Sequence, residues 1–299
     1  MIPPYSGGVR RALSVVAVAV AVVSIAASAA PAAENVDSSV FGGLGTWVDI
    51  YDGAVYAAPE RTAQRIAARD VETVWVETAN DGAKVDVVDP VRLGRFVDAL
   101  HAHGVRVVAW YLPGHVKPAL DLRRALAMLS FGTPTGGSFD GVALDIESTK
   151  LRGVSLRSKR AVALTRQLRA AAGDTPLAIV TFNPRGLERR PSTWPNFPWA
   201  DLAENADAFA PMVYTGGGLK GFDATYGYVT RALRLLRVDT GDSEVQIHVA
   251  GGVADRLGPE ELAGFVAAVA DDGDTIGVSL YDWMTTPPRA WKALASLDG

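Results

Sequence analysis

The chain has 299 residues, 48% of them hydrophobic, and a formal net charge of −4. That length suits one large α/β domain or two small ones, and that hydrophobic share excludes a disordered chain. The acidic balance lacks the basic footprint of a nucleic-acid binder, so no nucleic-acid partner is expected, and no run of like charges marks an interaction tail.

The first feature in chain order is an export signature. Arg10 and Arg11 precede an apolar run from Ala12 to Ala27, interrupted only by Ser14 and Ser24. Ala27-Ser28-Ala29 and Ala30-Pro31-Ala32 follow as small-residue cleavage sites. The run falls short of the ~20 residues of a membrane-spanning helix. Residues 1–32 are therefore expected to be a signal peptide, 33–42 a linker and 43–299 the folded domain. The expected destination is the cell envelope or the medium, without stable membrane insertion after cleavage. The chain has no cysteine, so an exported fold must rest on its core rather than on disulfides.

From there two patterns alternate. β-branched and aromatic runs predict strands at Thr46–Tyr51, Glu72–Thr78, Val105–Leu112, Phe139–Glu147, Leu177–Asn183, Ala206–Tyr214, Glu244–Gly251 and Thr275–Trp283. Helical apolar spacing fills the intervals at Pro59–Arg69, Val91–His103, Ala119–Leu129, Ser155–Ala172, Tyr226–Val238, Pro259–Ala270 and Pro288–Leu297. Between the fifth and sixth strands the one helix candidate is a short one near Trp199–Asn205. Eight strand–helix units of this length predict a single (β/α)8 TIM barrel. The competing architecture is an open doubly wound sheet, but no G-x-G-x-x-G turn follows an early strand. A monomer is expected.

Barrel chemistry sits at the C-terminal ends of the strands. Strand by strand, those ends offer Asp49 and Tyr51; Glu77; Trp110 and Tyr111; Asp145 and Glu147; Asn183; Met212 and Tyr214; His248; and Tyr281, Asp282 and Trp283. On the fourth strand, alternation puts Val142, Leu144 and Ile146 on one face and Gly141, Ala143, Asp145 and Glu147 on the other. The aliphatic set suits the helix layer, so the small and acidic set points into the barrel. Two confined carboxylates repel, which raises one pKa and suits a general acid. Capping of the next helix, or pairing with Lys150 or Arg152, is the bland alternative.

The run Asp140-Gly141-Val142-Ala143-Leu144-Asp145-Ile146-Glu147 resembles the D-x-x-D-x-D-x-E strand of family 18 glycoside hydrolases, the chitinase-like barrels. It departs at Ala143, where that family has aspartate, and at Ile146, often an aromatic there. Met212-Val213-Tyr214-Thr215 resembles the family's M-x-Y-D, with Thr215 in place of the acid. Trp283 is similar to the tryptophan that floors the sugar site. Asp49 in Trp47-Val48-Asp49-Ile50-Tyr51 resembles, more loosely, a strand-one acid of family 25 lysozyme-like barrels.

The resemblance implies that Glu147 protonates the glycosidic oxygen, while Asp145 and Tyr214 hold a substrate 2-acetamido group that acts as internal nucleophile. Without that group, Asp49, Glu77 or Asp282 would be the second carboxylate. Ala143 implies an Asp145 that is more fully ionised than in the family. The expected partner is a polysaccharide containing N-acetylhexosamine; the alternatives are an inactive carbohydrate-binding barrel and a barrel enzyme of phosphorylated metabolites.

Asp49, Tyr51, Glu77, Trp110, Tyr111, Asn183, Met212, Tyr281, Asp282 and Trp283 are the expected substrate-binding set. Trp194, Phe197 and Trp199 are further stacking candidates, in or beside a proline-rich loop from Pro184 to Pro198 read as a wall over the mouth. Trp75 and Trp291 are read as filling between strands and helices. His101, His103, His115 and His248 make no metal-ligand spacing, so neither a metal nor another cofactor is expected. Gly216-Gly217-Gly218 reads as a flexible loop.

Overall fold

The computed structural model describes residues 37–216 and 218–297. The stretch read as a signal peptide, residues 33–36 of the stretch read as a linker, Gly217 and residues 298–299 lie outside the described residues. Among the described residues eight parallel strands pair in chain order and close, the last onto the first, with Gly43 opposite Gly277. They are β1 Gly43–Val48, β2 Thr73–Asn80, β3 Arg106–Leu112, β4 Gly141–Ile146, β5 Leu177–Phe182, β6 Ala208–Tyr214, β7 His248–Gly252 and β8 Gly277–Leu280. Closure excludes the open doubly wound sheet.

The surrounding helices are α1 Gly53–Ala57, α2 Pro59–Ala67, α3 Pro90–His101, α4 Pro118–Leu129, α5 Val154–Ala172, α6 Pro184–Arg189, α7 Trp199–Ala203, α8 Phe222–Thr240, α9 Pro259–Asp272 and α10 Pro288–Leu294. A proline opens α2, α3, α4, α6, α9 and α10, where its fixed φ fits the first turn and its missing N–H costs nothing. Gly241 and Gly273 end α8 and α9 in the left-handed conformation that glycine adopts without strain. Among the described residues no helix is long and apolar enough to cross a membrane.

The last two strands are shorter than their apolar patterns predict. β7 begins at His248, preceded only by an isolated bridge from Ile247 to Phe209. β8 ends at Leu280, and two residues on the Asp282 carboxylate accepts from Thr285 N–H, turning the chain. The predicted proline-rich wall carries α6 in its first half.

Side-chain alternation sorts the core into two layers. Outward residues such as Val74, Val107, Leu144, Ile179 and Phe209 pack under the helices. Inside, three indoles crowd the β1–β3 side: Trp47 stacks on Trp75 with ring centres 4.7 Å apart, and Trp110 meets Trp47 edge-on at 6.1 Å. Trp75 therefore fills the barrel itself, a correction to its reading as strand–helix filling. Ala143, Ala178, Ala208, Ala210 and Ala250 face these rings from β4 to β7. Large rings on one side need small residues on the other to reach interior packing density.

Ser279 Oγ accepts from Trp47 Nε1 at 2.7 Å and meets His248 Nε2 at 2.9 Å. With that hydroxyl donating to Nε2, the His248 proton lies on Nδ1, 2.7 Å from the Phe41 carbonyl. Burial holds this ring neutral, its pKa depressed to about 4. Glycines at 45 and 277 make room, since a Cβ there would stand 2.8 Å and 2.4 Å from the His248 ring.

Part of the stretch read as a linker carries structure. Ser38–Phe41 forms a 3-10 turn capped by Asp37, and Phe41 is fully buried against Trp75, ring centres 5.6 Å apart. This turn plugs the N-terminal end of the barrel. Phe41→Ala should therefore cost about 3–5 kcal/mol, as for other buried aromatic truncations, read from the denaturant midpoint; an unchanged midpoint would mean that the turn does not seat there.

Candidate active site

β4 carries Ala143 and Asp145 inward while Val142, Leu144 and Ile146 join the outer layer. Asp145 is only 4% exposed, and Glu147, the first residue past the strand, is partly exposed at the mouth. Ala143 pairs in register with Trp110 and Ala178, so beneath the acids lie a small side chain and an indole, with no cation.

This environment disfavours charge. Burial, then the neighbouring Glu147 and Glu77, pushes Asp145 well above the usual carboxylate range. Burial raises Glu147 as well. Glu77 is pushed up to about 7, chiefly by burial with repulsion from Asp49 and Asp52 adding, although Ile50 N–H donates to it at 3.1 Å. Asp145 is thus raised even with Ala143 beneath it. Glu77, reaching in from β2, supplies the like charge that position 143 lacks.

Tyr214 closes the group from β6. Burial and then the charges of Asp145, Glu147 and Asp282 raise its hydroxyl, which keeps it a proton-bearing donor. The Tyr281 ring lies 6.0 Å from it and donates its hydroxyl to Asp49 Oδ2 at 2.9 Å. Asp49, Asp52 and Asp282 form a second acidic corner, with one carboxylate oxygen of each within 4.8 Å of the others. It is the one set of three acids among the described residues close enough to share a cation. Its oxygens already accept from Tyr281, Tyr51 N–H, Asp49 N–H and Thr285 N–H, the pattern of a hydrogen-bonded corner. Asp52 is pushed up to about 7 by burial and then by Asp49.

Two predicted aromatics fall outside the site. Tyr111 points outward and donates its hydroxyl to Asp121 at 2.7 Å, because neighbours on a strand cannot both face in and Trp110 takes the inward position. Trp283 packs in the outer layer against Trp291 at 5.6 Å and beneath Arg65, so Tyr281, two residues earlier, faces the mouth in its stead. Trp110 stays in the interior below the acids, its Nε1 without a protein partner. Trp194, Phe197 and Trp199 form a buried aromatic row rather than an exposed platform. His115 is buried edge-on to Trp194, with burial depressing its pKa to about 4.

Two cavities meet at the mouth. One, of about 460 Å³, is lined by Glu147, Asn183, Met212, Tyr214, Thr215 and Tyr228 among others; a second, of about 600 Å³, by Tyr51, Asn80, Asp81, Ser148 and Lys150 with Glu147. Glu147, Phe182 and Thr193 border both. Sequence reasoning missed Phe182, Thr193, Tyr228 and the arginines at 189 and 190. Phe182 was within reach, since it shares the inward parity of Ala178 and Val180; the others come from turns and helices whose placement needs the fold.

No family model matches the chain, and no curated protein is similar to it. Solved structures share its fold. A class V chitinase from Pseudomonas fluorescens Pf-5 superposes with a TM-score of 0.58 at 13% identity, covering 86% of this chain and 100% of that one. The spore cortex-lytic enzyme SleL of Bacillus cereus gives 0.63 at 8% identity, covering 86% and 74%. An endo-1,4-beta-mannanase from Rhizomucor miehei gives 0.62 at 9% identity, covering 86% and 95%. The chain thus shares the (β/α)8 barrel of these glycoside hydrolases, at identities that carry the fold alone.

Proposed function

We propose that this chain is an exported glycoside hydrolase that cleaves a polysaccharide containing N-acetylhexosamine, with Glu147 as the general acid. The observation that carries this reading is the position of Glu147 at the junction of two cavities. A glycan laid along the mouth would run to either side of it, with the scissile bond at the carboxyl group. A general acid must hold its proton until the transition state, and burial raises this carboxyl in that direction. The shared barrel of the solved chitinases supports the same class of chemistry.

In this mechanism the acetamido carbonyl oxygen of the substrate attacks the anomeric carbon as the glycosidic C–O bond breaks, and Glu147 delivers its proton to the leaving oxygen. Asp145 and Tyr214 steady the acetamido group: Asp145 Oδ1 meets no partner in the protein, and Tyr214 keeps its hydroxyl proton. Water then adds to the anomeric carbon as its bond to the acetamido oxygen breaks, and the water gives a proton back to Glu147. Tyr281 and Phe182 offer ring faces at the mouth. The apolar run at residues 12–27 would direct export.

Glu147→Gln should lower reducing-end release from chitin or peptidoglycan by about 10²–10⁴-fold, the usual share of a general acid, while glycan binding persists. A wild-type protein that binds glycan and releases nothing would instead be a carbohydrate-binding barrel. A pH–rate profile gives a second check. A group with a raised pKa keeps its proton at low pH and loses it as pH rises through that value. Glu77→Gln removes one of the charges that raise Asp145, so its ionisation should move to lower pH and the limb that it governs should follow. A limb that stays in place would contradict the coupling.

A further inference from the structure

The cavity between α6 and β6 differs in charge from the rest of the mouth. Arg189 ends α6 and Arg190 follows it, and both line this cavity together with Glu147. Neither guanidinium is neutralised within the protein: among the described residues, the neighbouring Glu188 is taken by Arg185 and Arg231, and no carboxylate pairs with 189 or 190. Across Glu147 the other cavity is compensated, since Lys150 is held by Asp81 at 2.5 Å. In a chain of net charge −4, two unpaired arginines beside an acid-rich mouth are a local reversal of sign.

Two buried polar groups lining the same cavity lack a partner, and one of them can only donate. Asn183 is 6% exposed; its Oδ1 already accepts from Arg185 N–H at 2.9 Å, so the amide orientation is fixed and Nδ2 is left without a partner. Thr215, 2% exposed, likewise has an unpartnered hydroxyl. Unpartnered buried donors cost free energy unless a ligand satisfies them. Among these lining groups the carboxyl of Glu147 stands alone as an acid, and it lies at the inner end where the bond would break.

We infer that this cavity seats a carboxylate-bearing sugar of the substrate, held by Arg189 and Arg190 with Asn183 Nδ2 as a neutral donor. The inference rests on the glycoside-hydrolase reading and narrows it: the glycan is anionic, and its acidic residue lies on the α6 side of the scissile bond. The carboxylate can belong to a uronic acid or to a lactyl ether on an amino sugar. Planar guanidinium forks match either one.

The test is calorimetric binding at low salt with the Glu147→Gln protein, which keeps the ligand uncut. Five probes are needed: a hyaluronan hexasaccharide, a peptidoglycan-strand oligosaccharide with free lactyl groups, the carboxyl-reduced form of each, and neutral chitin hexasaccharide as a reference. At least one acidic probe should bind roughly fivefold to tenfold more tightly than its reduced form, the scale of two exposed charge contacts. Whichever probe shows that gap identifies the source of the carboxylate. The gap should close in Arg189→Gln/Arg190→Gln and shrink at high salt. Equal binding of acidic and reduced forms, alongside chitin binding, overturns this inference and leaves the hydrolase reading standing. Binding of none of the glycans overturns both.

Discussion

Asp145 is a buried carboxyl group with no cation beside it. Taking a carboxylate out of water is expensive, and without a paired cation that cost raises the pKa of the group and favours its protonated form. The barrel enforces this. Inward parity on β4 stacks Asp145 above Ala143 and Gly141, the closed sheet shuts out solvent, and the nearest charged groups, Glu147 and Glu77, are acids. Burial also raises the pKa of Glu147 beside it.

The interior packing explains why the crowding falls on β4. Trp47, Trp75 and Trp110 fill the volume on the β1–β3 side, and the alanines of β4–β7 complete it. A second large acid at position 143 would have to share that space with the Trp110 indole, its partner in register. Glu77 reaches the same pocket from β2 and imposes its charge on Asp145 without occupying the alanine column. The cleft then divides at Glu147 into an arginine-lined side and a charge-compensated side, so one carboxyl group faces two different electrostatic surroundings.

Much of the barrel was legible because period-2 and period-3.6 patterns alternate cleanly, and proline marks six helix starts. The inward run of β4 was legible for the same reason. Parity explains one error, since Tyr111 neighbours Trp110, which takes the inward position. Trp283 would share the face of Tyr281 on a continued strand, but β8 ends at Leu280 and the chain turns at Asp282, which carries Trp283 into the outer layer. Trp75 was read as outer filling because sequence does not show which face of a doubly buried strand turns inward; every residue from Thr73 to Ala79 is buried. The raised pKa of Asp145 comes from burial, then from Glu147, and then from Glu77, 68 positions earlier in the chain; the burial and the last proximity arise only when the sheet closes.

The most direct measurement is the carboxyl titration of the β4 pair, followed by carbon NMR with side-chain labelling of aspartate and glutamate. Among the raised carboxyls of the wild-type protein, one resonance should vanish in Asp145→Asn and should move to lower pH in Glu147→Gln, which removes the neighbouring charge. If every carboxyl in the folded protein titrated within the ordinary range, the crowded, protonated pair on which the proposed chemistry stands would be contradicted.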